Sequence, residues 1–168
     1  MNSLSLLKGF SVKRLTEQDV SQIYELFMGN PLYFLHCPPS PSDESIRQDM
    51  RALPPGKTYE DKHYIGLFAG DCLVAVLDLI TSYPKETTLF IGFFMLRSEE
   101  QGKGLGTEIV SELCNFVRKR GFTHIRLGYV KGNPQSKAFW EKNHFVPTGI
   151  ETQSENYTIV ILERDLSA

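Results

Sequence analysis

The sequence predicts an α/β fold of the α+β kind: one domain over residues 1–168, a mixed sheet of about six or seven strands, and about four flanking helices. Three observations carry that expectation. Runs rich in β-branched and aromatic residues crowd the middle of the chain. Beyond residue 96 the apolar spacing switches between helical and strand periods, as strand–helix–strand units do. The composition, 41% hydrophobic and 23% charged over 168 residues, is that of a folded chain able to bury a sizeable core.

The opening stretch, MNSLSLLKGFSVKRL, has no basic leader followed by an apolar segment and runs straight into a strand-like stretch. Thr16 can cap a helix with Asp19 three residues on, and Val20, Ile23 and Phe27 form its apolar stripe. NPLYFLHCPPSPSD carries four prolines between Pro31 and Pro41; too short and aromatic for an interdomain linker, it reads as a loop over a site. Ser40 and Pro41 predict an N-cap and first residue of a second helix running through Leu53.

His63 to Phe68 and Cys72 to Ile80 read as a hairpin, and Thr87 to Leu96, apolar throughout, as a strand buried on both faces. A glycine-rich loop follows. The next helix presents Ile109, Val110, Leu113, Phe116 and Val117 on one face, with Gly121 placed to end it. A strand from His124 to Val130, a helix from Asn133 and a strand from Tyr157 to Leu162 complete the order.

Lys and Arg number 18 against 20 Asp and Glu, a net charge of −2, which argues against a basic nucleic-acid footprint. No apolar run reaches the ~18 residues a membrane span needs. Cys37, Cys72 and Cys114 are odd in number and scattered, unlike a disulfide framework or metal knuckle, and no His/Cys/Asp cluster has metal-ligand spacing. The expectation is a cytoplasmic protein with reduced thiols, no metal, and no nucleic-acid or membrane partner.

The loop RSEEQGKGLGTE is the first functional signal. A phosphate-binding G-x-x-x-x-G-K-[ST] spacing is absent, and a G-x-G-x-x-G fingerprint counted from Gly102 meets Thr107 where glycine is needed. What remains is Q-x-x-G-x-G from Gln101 to Gly106, between a strand and an amphipathic helix. Residues without Cβ let backbone approach a ligand, and the helix start offers unpaired N–H groups, an anion site suited to pyrophosphate. A plain glycine turn entering a helix is the competing reading.

The second signal is KGNPQSKAFWEKNHF. Asn133 can cap a helix with Pro134 at its first position, putting Asn133, Ser136 and Lys137 at one helix start. Spacing alone makes Trp140 a core aromatic.

Together, Gln101-Gly102-Lys103-Gly104-Leu105-Gly106 and Asn133-Pro134-Gln135-Ser136-Lys137-Ala138-Phe139-Trp140-Glu141-Lys142 resemble two motifs of the GNAT N-acetyltransferase superfamily, in order and at its separation. The resemblance implies a sheet splayed between its central parallel strands and acetyl-CoA as co-substrate. It implies that Met95 and Leu96 meet the pantetheine arm with their backbone, with a Met95 N–H receiving the developing oxyanion. Gly102 to Thr107, including Lys103, Gly104, Leu105 and Gly106, would hold the pyrophosphate, with Gln101 shaping the loop. Asn133, Ser136 and Trp140 would line the coenzyme's other side.

Two departures matter. Trp140 stands where many members carry the tyrosine that protonates the departing thiolate, and an indole N–H is no practical acid; Tyr129 is the substitute candidate. His144 stands where a glycine would end the helix. For the base, Asp78 interrupts the apolar run CLVAVLDLITSY. It is either a carboxylate poised by burial to accept a proton or one held by a neighbouring group. Tyr83, His36 and Tyr33 are candidate substrate contacts. The expected reaction is acetyl transfer to a primary amine of a small molecule, by a monomer or homodimer. The alternatives are acetylation of a protein amine and a non-catalytic acyl-CoA-binding module.

Overall fold

The computed structural model describes residues 7–167. Its strands are β1 (Ser11–Arg14), β2 (Lys62–Ala69), β3 (Cys72–Ile80), β4 (Thr88–Leu96), β5 (His124–Val130), β6 (Val146–Gln153) and β7 (Thr158–Asp165). They form one sheet in the order β1-β2-β3-β4-β5-β7-β6. Only β4 and β5 run parallel; the other neighbours are antiparallel.

Five α-helices pack on this sheet: α1 (Val20–Met28), α2 (Pro31–His36), α3 (Asp43–Arg51), α4 (Leu105–Arg118) and α5 (Pro134–Lys142). Thr16 and Asp19 form the expected reciprocal cap, with the Thr16 N–H donating to Asp19 Oδ2 at 2.8 Å. Two expectations need correction. The stretch after Asn30 is the short helix α2, not a loop, because Pro31 at its first position supplies the helical φ at no hydrogen-bond cost. The next helix is capped by Ser42, not Ser40, and stops at Arg51. Ser42 and Ser45 exchange side-chain and backbone hydrogen bonds at 2.9 and 3.0 Å, while Pro41 holds the residue before it in extended geometry.

The core lies on both faces of the sheet. α4 covers one face through Ile109, Leu113 and Val117 against Leu77, Leu89, Ile125 and Leu127. α1 and α3 cover the other through Ile23, Phe27 and Ile46 against Tyr64, Val76 and Met95. β4 is not buried throughout: Thr88, Leu89 and Ile91 at its start and Met95 and Leu96 at its end are buried, but its middle opens. It pairs with β5 from Thr88–His124 to Ile91–Leu127 and no further, so Gly92 is exposed and Phe93 and Phe94 are half-buried. β5 continues beside β7 to the Val130–Ile159 pair. A bulge at Gly92 shifts the β3–β4 register, placing Phe93 opposite Asp78 and Ile91 opposite Leu79.

His144 takes the left-handed conformation that the sequence suggested, with φ +68°. Its N–H donates to Glu141 O at 3.0 Å and the Phe145 N–H to Trp140 O at 3.1 Å, a Schellman ending to α5. The exposed imidazole gives up conformational ease there without a compensating contact. His144→Gly is expected to raise stability by about 0.5–1 kcal/mol in chemical denaturation, the relief of left-handed strain exceeding glycine's entropic cost.

Candidate active site

Where β4 parts from β5, a cleft of about 590 Å³ opens through the sheet. One wall is β4 from Ile91 to Leu96 and the other is β5 from Leu127 to Val130; the Gln101–Thr107 loop and the start of α5 close one end. Tyr33 and Cys37 of the α2 region and Tyr157, just before β7, close the other.

The polar chemistry of the β4 wall follows from the ladder. The Arg97 N–H donates to Val74 O at 2.8 Å, so alternation turns the amides of Met95 and Phe93 towards β3 and those of Leu96 and Phe94 towards the cleft. This corrects the expectation for Met95: its N–H belongs to the β3 ladder, and the Phe94 and Leu96 amides are the donors facing the gap. The Leu96 carbonyl is already engaged. It accepts from Gln101 Nε2 at 3.0 Å and from Asn30 Nδ2 at 3.1 Å, and Gln101 Nε2 also donates to Asn30 Oδ1 at 2.6 Å. Gln101 thus fixes the glycine loop to the end of β4 and to the α1–α2 junction.

The loop is built as an anion cradle. Gly102 and Gly104 have φ of +75° and +86°, conformations that a side chain would strain. Gly104 caps α4 with no side-chain hydrogen bond, leaving the first amides of the helix open at its positive end. A Cβ on Gly106 would stand 3.0 Å from Phe139 Cε2 and 3.2 Å from Leu96 Cδ1, so glycine lets α4 pack against the cleft wall. Thr107 lines the cleft beside it. Lys103 is exposed and Leu105 turns into the core, so neither side chain reaches the cleft.

α5 begins as its sequence predicts. Asn133, 5% exposed, accepts from the Ser136 N–H at 3.2 Å, and both residues line the cleft. Trp140 is at once core and wall: buried, 4.8 Å from Phe139 and 5.1 Å from Phe145 between ring centroids, it still borders the cleft. Asn143, which sequence reading passed over, holds α5 to α4 by donating to Phe139 O at 2.8 Å and Thr107 Oγ1 at 3.4 Å.

At the far end the sequence candidates separate. Tyr33 borders the cleft; His36, one turn on, does not, while its neighbour Cys37 does. Tyr83 packs edge-on against Phe90 at 5.4 Å, outside the cleft, because Phe90 precedes the point where the strands part. Tyr129 lies on the β5 wall. Burial pushes the Tyr33 phenol up, the neighbouring Cys37 thiol adds to it, and both keep Tyr33 protonated.

Asp78 is not a free carboxylate. Lys62 Nζ lies 3.0 Å from Oδ1 and 2.9 Å from Oδ2, with the lysine side chain 2% exposed. Burial raises the Asp78 carboxyl and Lys62 draws it back. A Cβ on Gly92 would meet Asp78 Oδ2 at 2.9 Å, which puts the pair directly behind the cleft wall. The hairpin register opposes Lys62 to Ile80 and Tyr64 to Asp78, so a lysine two residues before Asp78's cross-strand partner was the sequence signal for this pairing.

The acetyltransferase (GNAT) family profile matches residues 20–145, three quarters of the chain and both motif segments. The chain belongs to the GNAT acetyltransferase family. Solved structures of similar fold include an acetyltransferase from Thermus thermophilus (TM-score 0.73, 22% identity, 96% of this chain and 99% of that one covered). They also include the PaiA N-acetyltransferase from Thermoplasma acidophilum in complex with coenzyme A (TM-score 0.67, 17% identity, 93% and 98% covered). A third is an acetyl transfer enzyme from Salmonella typhimurium that modifies the N-terminal serine of a 50S ribosomal subunit protein (TM-score 0.75, 18% identity, 95% and 96% covered). No curated protein sequence matches the chain. Among the described residues no helix is long and apolar enough to cross a membrane. The GNAT family uses acetyl-CoA, and the open α4 amides, the left-handed glycines and the free β4 edge of this chain suit its pyrophosphate and amide-bearing arm.

Two outcomes are expected. Gly104→Val, which forces a β-branched residue to φ +86°, should weaken acetyl-CoA binding at least ~10-fold by calorimetry while the far end of the cleft is untouched. Lys62→Met should destabilise the fold by about 3–5 kcal/mol in denaturant titration by leaving Asp78 buried without its partner.

Proposed function

We propose that this GNAT acetyltransferase moves the acetyl group of acetyl-CoA to a primary amine of a small molecule by direct attack of the amine on the thioester. The observation that carries the reading is the shape of the cleft. It runs from an anion cradle at Gln101–Thr107, along the free edge of β4, to an end narrowed by Tyr33, Cys37, Phe93 and Tyr157. An end lined by aromatic side chains suits a compact acceptor.

The chain's residues divide the work. The Phe94 or Leu96 N–H meets the negative charge that develops on the thioester oxygen. The Phe94, Phe139 and Trp140 rings pack the wall beside the arm, with Phe94 and Phe139 stacked at 5.8 Å. Coenzyme A leaves as a thiolate; a thiol with a pKa of about 8.5 departs without a strong acid, so Trp140 in place of tyrosine is tolerable. Tyr129, which lines the cleft, is in this reading the residue that returns a proton. The free thiols Cys37, Cys72 and Cys114 are in keeping with a reducing, cytoplasmic setting.

A second reading has its own support. Leu32 and Leu35 on α2 are 62% and 74% exposed beside the acceptor end, a surface that a peptide acceptor could cover. Mass-spectrometric detection of acetylated product separates the two: a panel of small amines and a panel of peptides differing in their N-terminal residue are incubated with acetyl-CoA. The expected result is product from the small amines. Product from peptides alone would replace the acceptor class, and binding of acetyl-CoA with no product from either panel would leave a coenzyme-binding module.

A further inference from the structure

Position 92 carries no side chain, and its backbone does not require glycine. Its φ lies outside the left-handed region, unlike those of Gly102 and Gly104 in the loop that follows. What excludes a side chain there is Asp78. A Cβ on Gly92 would stand 2.9 Å from Asp78 Oδ2, 3.3 Å from its Cγ and 3.6 Å from its carbonyl oxygen. Gly92 is exposed and borders the cleft, at the bulge where β4 leaves β5. The bare backbone is therefore a notch in the cleft wall, with a carboxylate oxygen set over it.

That carboxylate is held in place without being used up. Lys62 Nζ donates to Oδ1 at 3.0 Å and to Oδ2 at 2.9 Å, and no other hydrogen bond among the described residues reaches either oxygen. A carboxylate oxygen has two lone pairs, so Oδ2 keeps one open. The lysine side chain is 2% exposed and the aspartate side chain 14%, so the open part of the pair is the acceptor. The pair is net neutral. It offers a fixed hydrogen-bond acceptor without the uncompensated charge of a lone buried carboxylate.

Two neighbours define what such an acceptor meets. Phe93, the cross-strand partner of Asp78, borders the cleft and packs 5.6 Å from Tyr33 and 5.1 Å from Phe27, so aromatic surface stands beside the notch. In the other direction Phe94, whose N–H faces the gap, is two residues along β4, about 6–7 Å at the rise of a strand. A thioester oxygen on that N–H, its carbonyl carbon and an attacking nitrogen span a distance of this size.

We propose that Gly92 and Asp78 form the seat of the acceptor amine: the amine reaches Asp78 Oδ2 across the bare backbone of Gly92 and donates one N–H to it, which turns the nitrogen lone pair towards the thioester carbon. The proposal rests on the acetyl-transfer reading above. The ammonium form first gives one proton to water, which frees that lone pair. As nitrogen attacks, the C–N bond forms and the nitrogen becomes positively charged, so its hydrogen bond to Asp78 strengthens in the transition state. The C–S bond then breaks with its electrons on sulfur, and the nitrogen's surplus proton passes to the thiolate or to water. Lys62 is the positioning residue, keeping the Asp78 oxygen over the notch. The acceptor class follows: a primary monoamine on an aromatic or branched alkyl body. Among the described residues no aspartate or glutamate lines the cleft, so a second ammonium finds no counter-charge there.

The test is steady-state coenzyme A release by the full chain with acetyl-CoA and two amine sets, arylalkyl or branched monoamines and linear diamines. Calorimetric binding of acetyl-CoA and denaturant titration accompany it. Gly92→Ala, whose Cβ displaces Oδ2, should lose at least ~30-fold in kcat/KM for the monoamines, with acetyl-CoA affinity within about twofold of wild type. Lys62→Met combined with Asp78→Leu replaces the pair by apolar side chains, a change that folds tolerate, and should lose at least ~100-fold. In both variants amine KM should rise and kcat fall, because the lost hydrogen bond holds the amine before attack and more strongly during it. Either variant, folded and within about threefold of wild type for the monoamines, would overturn the proposal while acetyl transfer stands. So would a preference of at least ~10-fold for the linear diamines. A wild-type protein that binds acetyl-CoA and releases no coenzyme A with any amine would overturn both.

Discussion

The structure depends on one broken pairing: β4 and β5 hold together through Ile91 and Leu127 and then part. In a continuous sheet every buried N–H and C=O has a neighbour. Here the outer edge of β4 at Phe94 and Leu96 has none in β5, and that edge is what a coenzyme's amide-bearing arm can bond. The gap does not close, because each strand is held from its far side. β3 keeps β4 in register up to Leu96, β7 keeps β5 in register up to Val130, and the bulge at Gly92 bends β4 where the parting begins. At the open end Gln101 and Asn30 converge on the Leu96 carbonyl and occupy the polar group that could otherwise draw the strands together.

The same parting brings two helix starts to one place. α4 and α5 both begin at the cleft; α4 contributes open amides and the positive end of its dipole, while α5 starts on Pro134 with its Ser136 N–H taken by Asn133. Their separation is set by small contacts: Gly106 against Phe139 and Leu96, and Asn143 bridging to Thr107. Phosphate binding and arm binding are therefore one geometric unit, and the chemistry of the acceptor sits at its other end. There the Lys62–Asp78 pair takes a charge out of play behind Gly92.

Much of this was legible in the sequence, for identifiable reasons. The glycine spacing from Gln101 to Gly106 and the Asn133-Pro134 start of α5 are local devices, and local geometry decides them. Thr16 with Asp19 and His144 at its left-handed position were readable for the same reason. What escaped were non-local facts. Which β4 amide faces the gap depends on ladder parity, which moved the donor from Met95 to Phe94 and Leu96. Whether Asp78 is free depends on a lysine 16 residues earlier in the neighbouring strand. His36 and Tyr83 were near the right elements, but helix phase and strand order turned them away from the cleft.

Amide hydrogen exchange of the full chain with and without acetyl-CoA tests the central claim most directly, since it reads the N–H groups on which the account rests. The account predicts slowed exchange at Phe94 and Leu96, across Gly102 to Thr107 and at the start of α5, with Met95 unchanged because β3 already protects it. Slowed exchange elsewhere, with these amides unmoved on saturation, would contradict it.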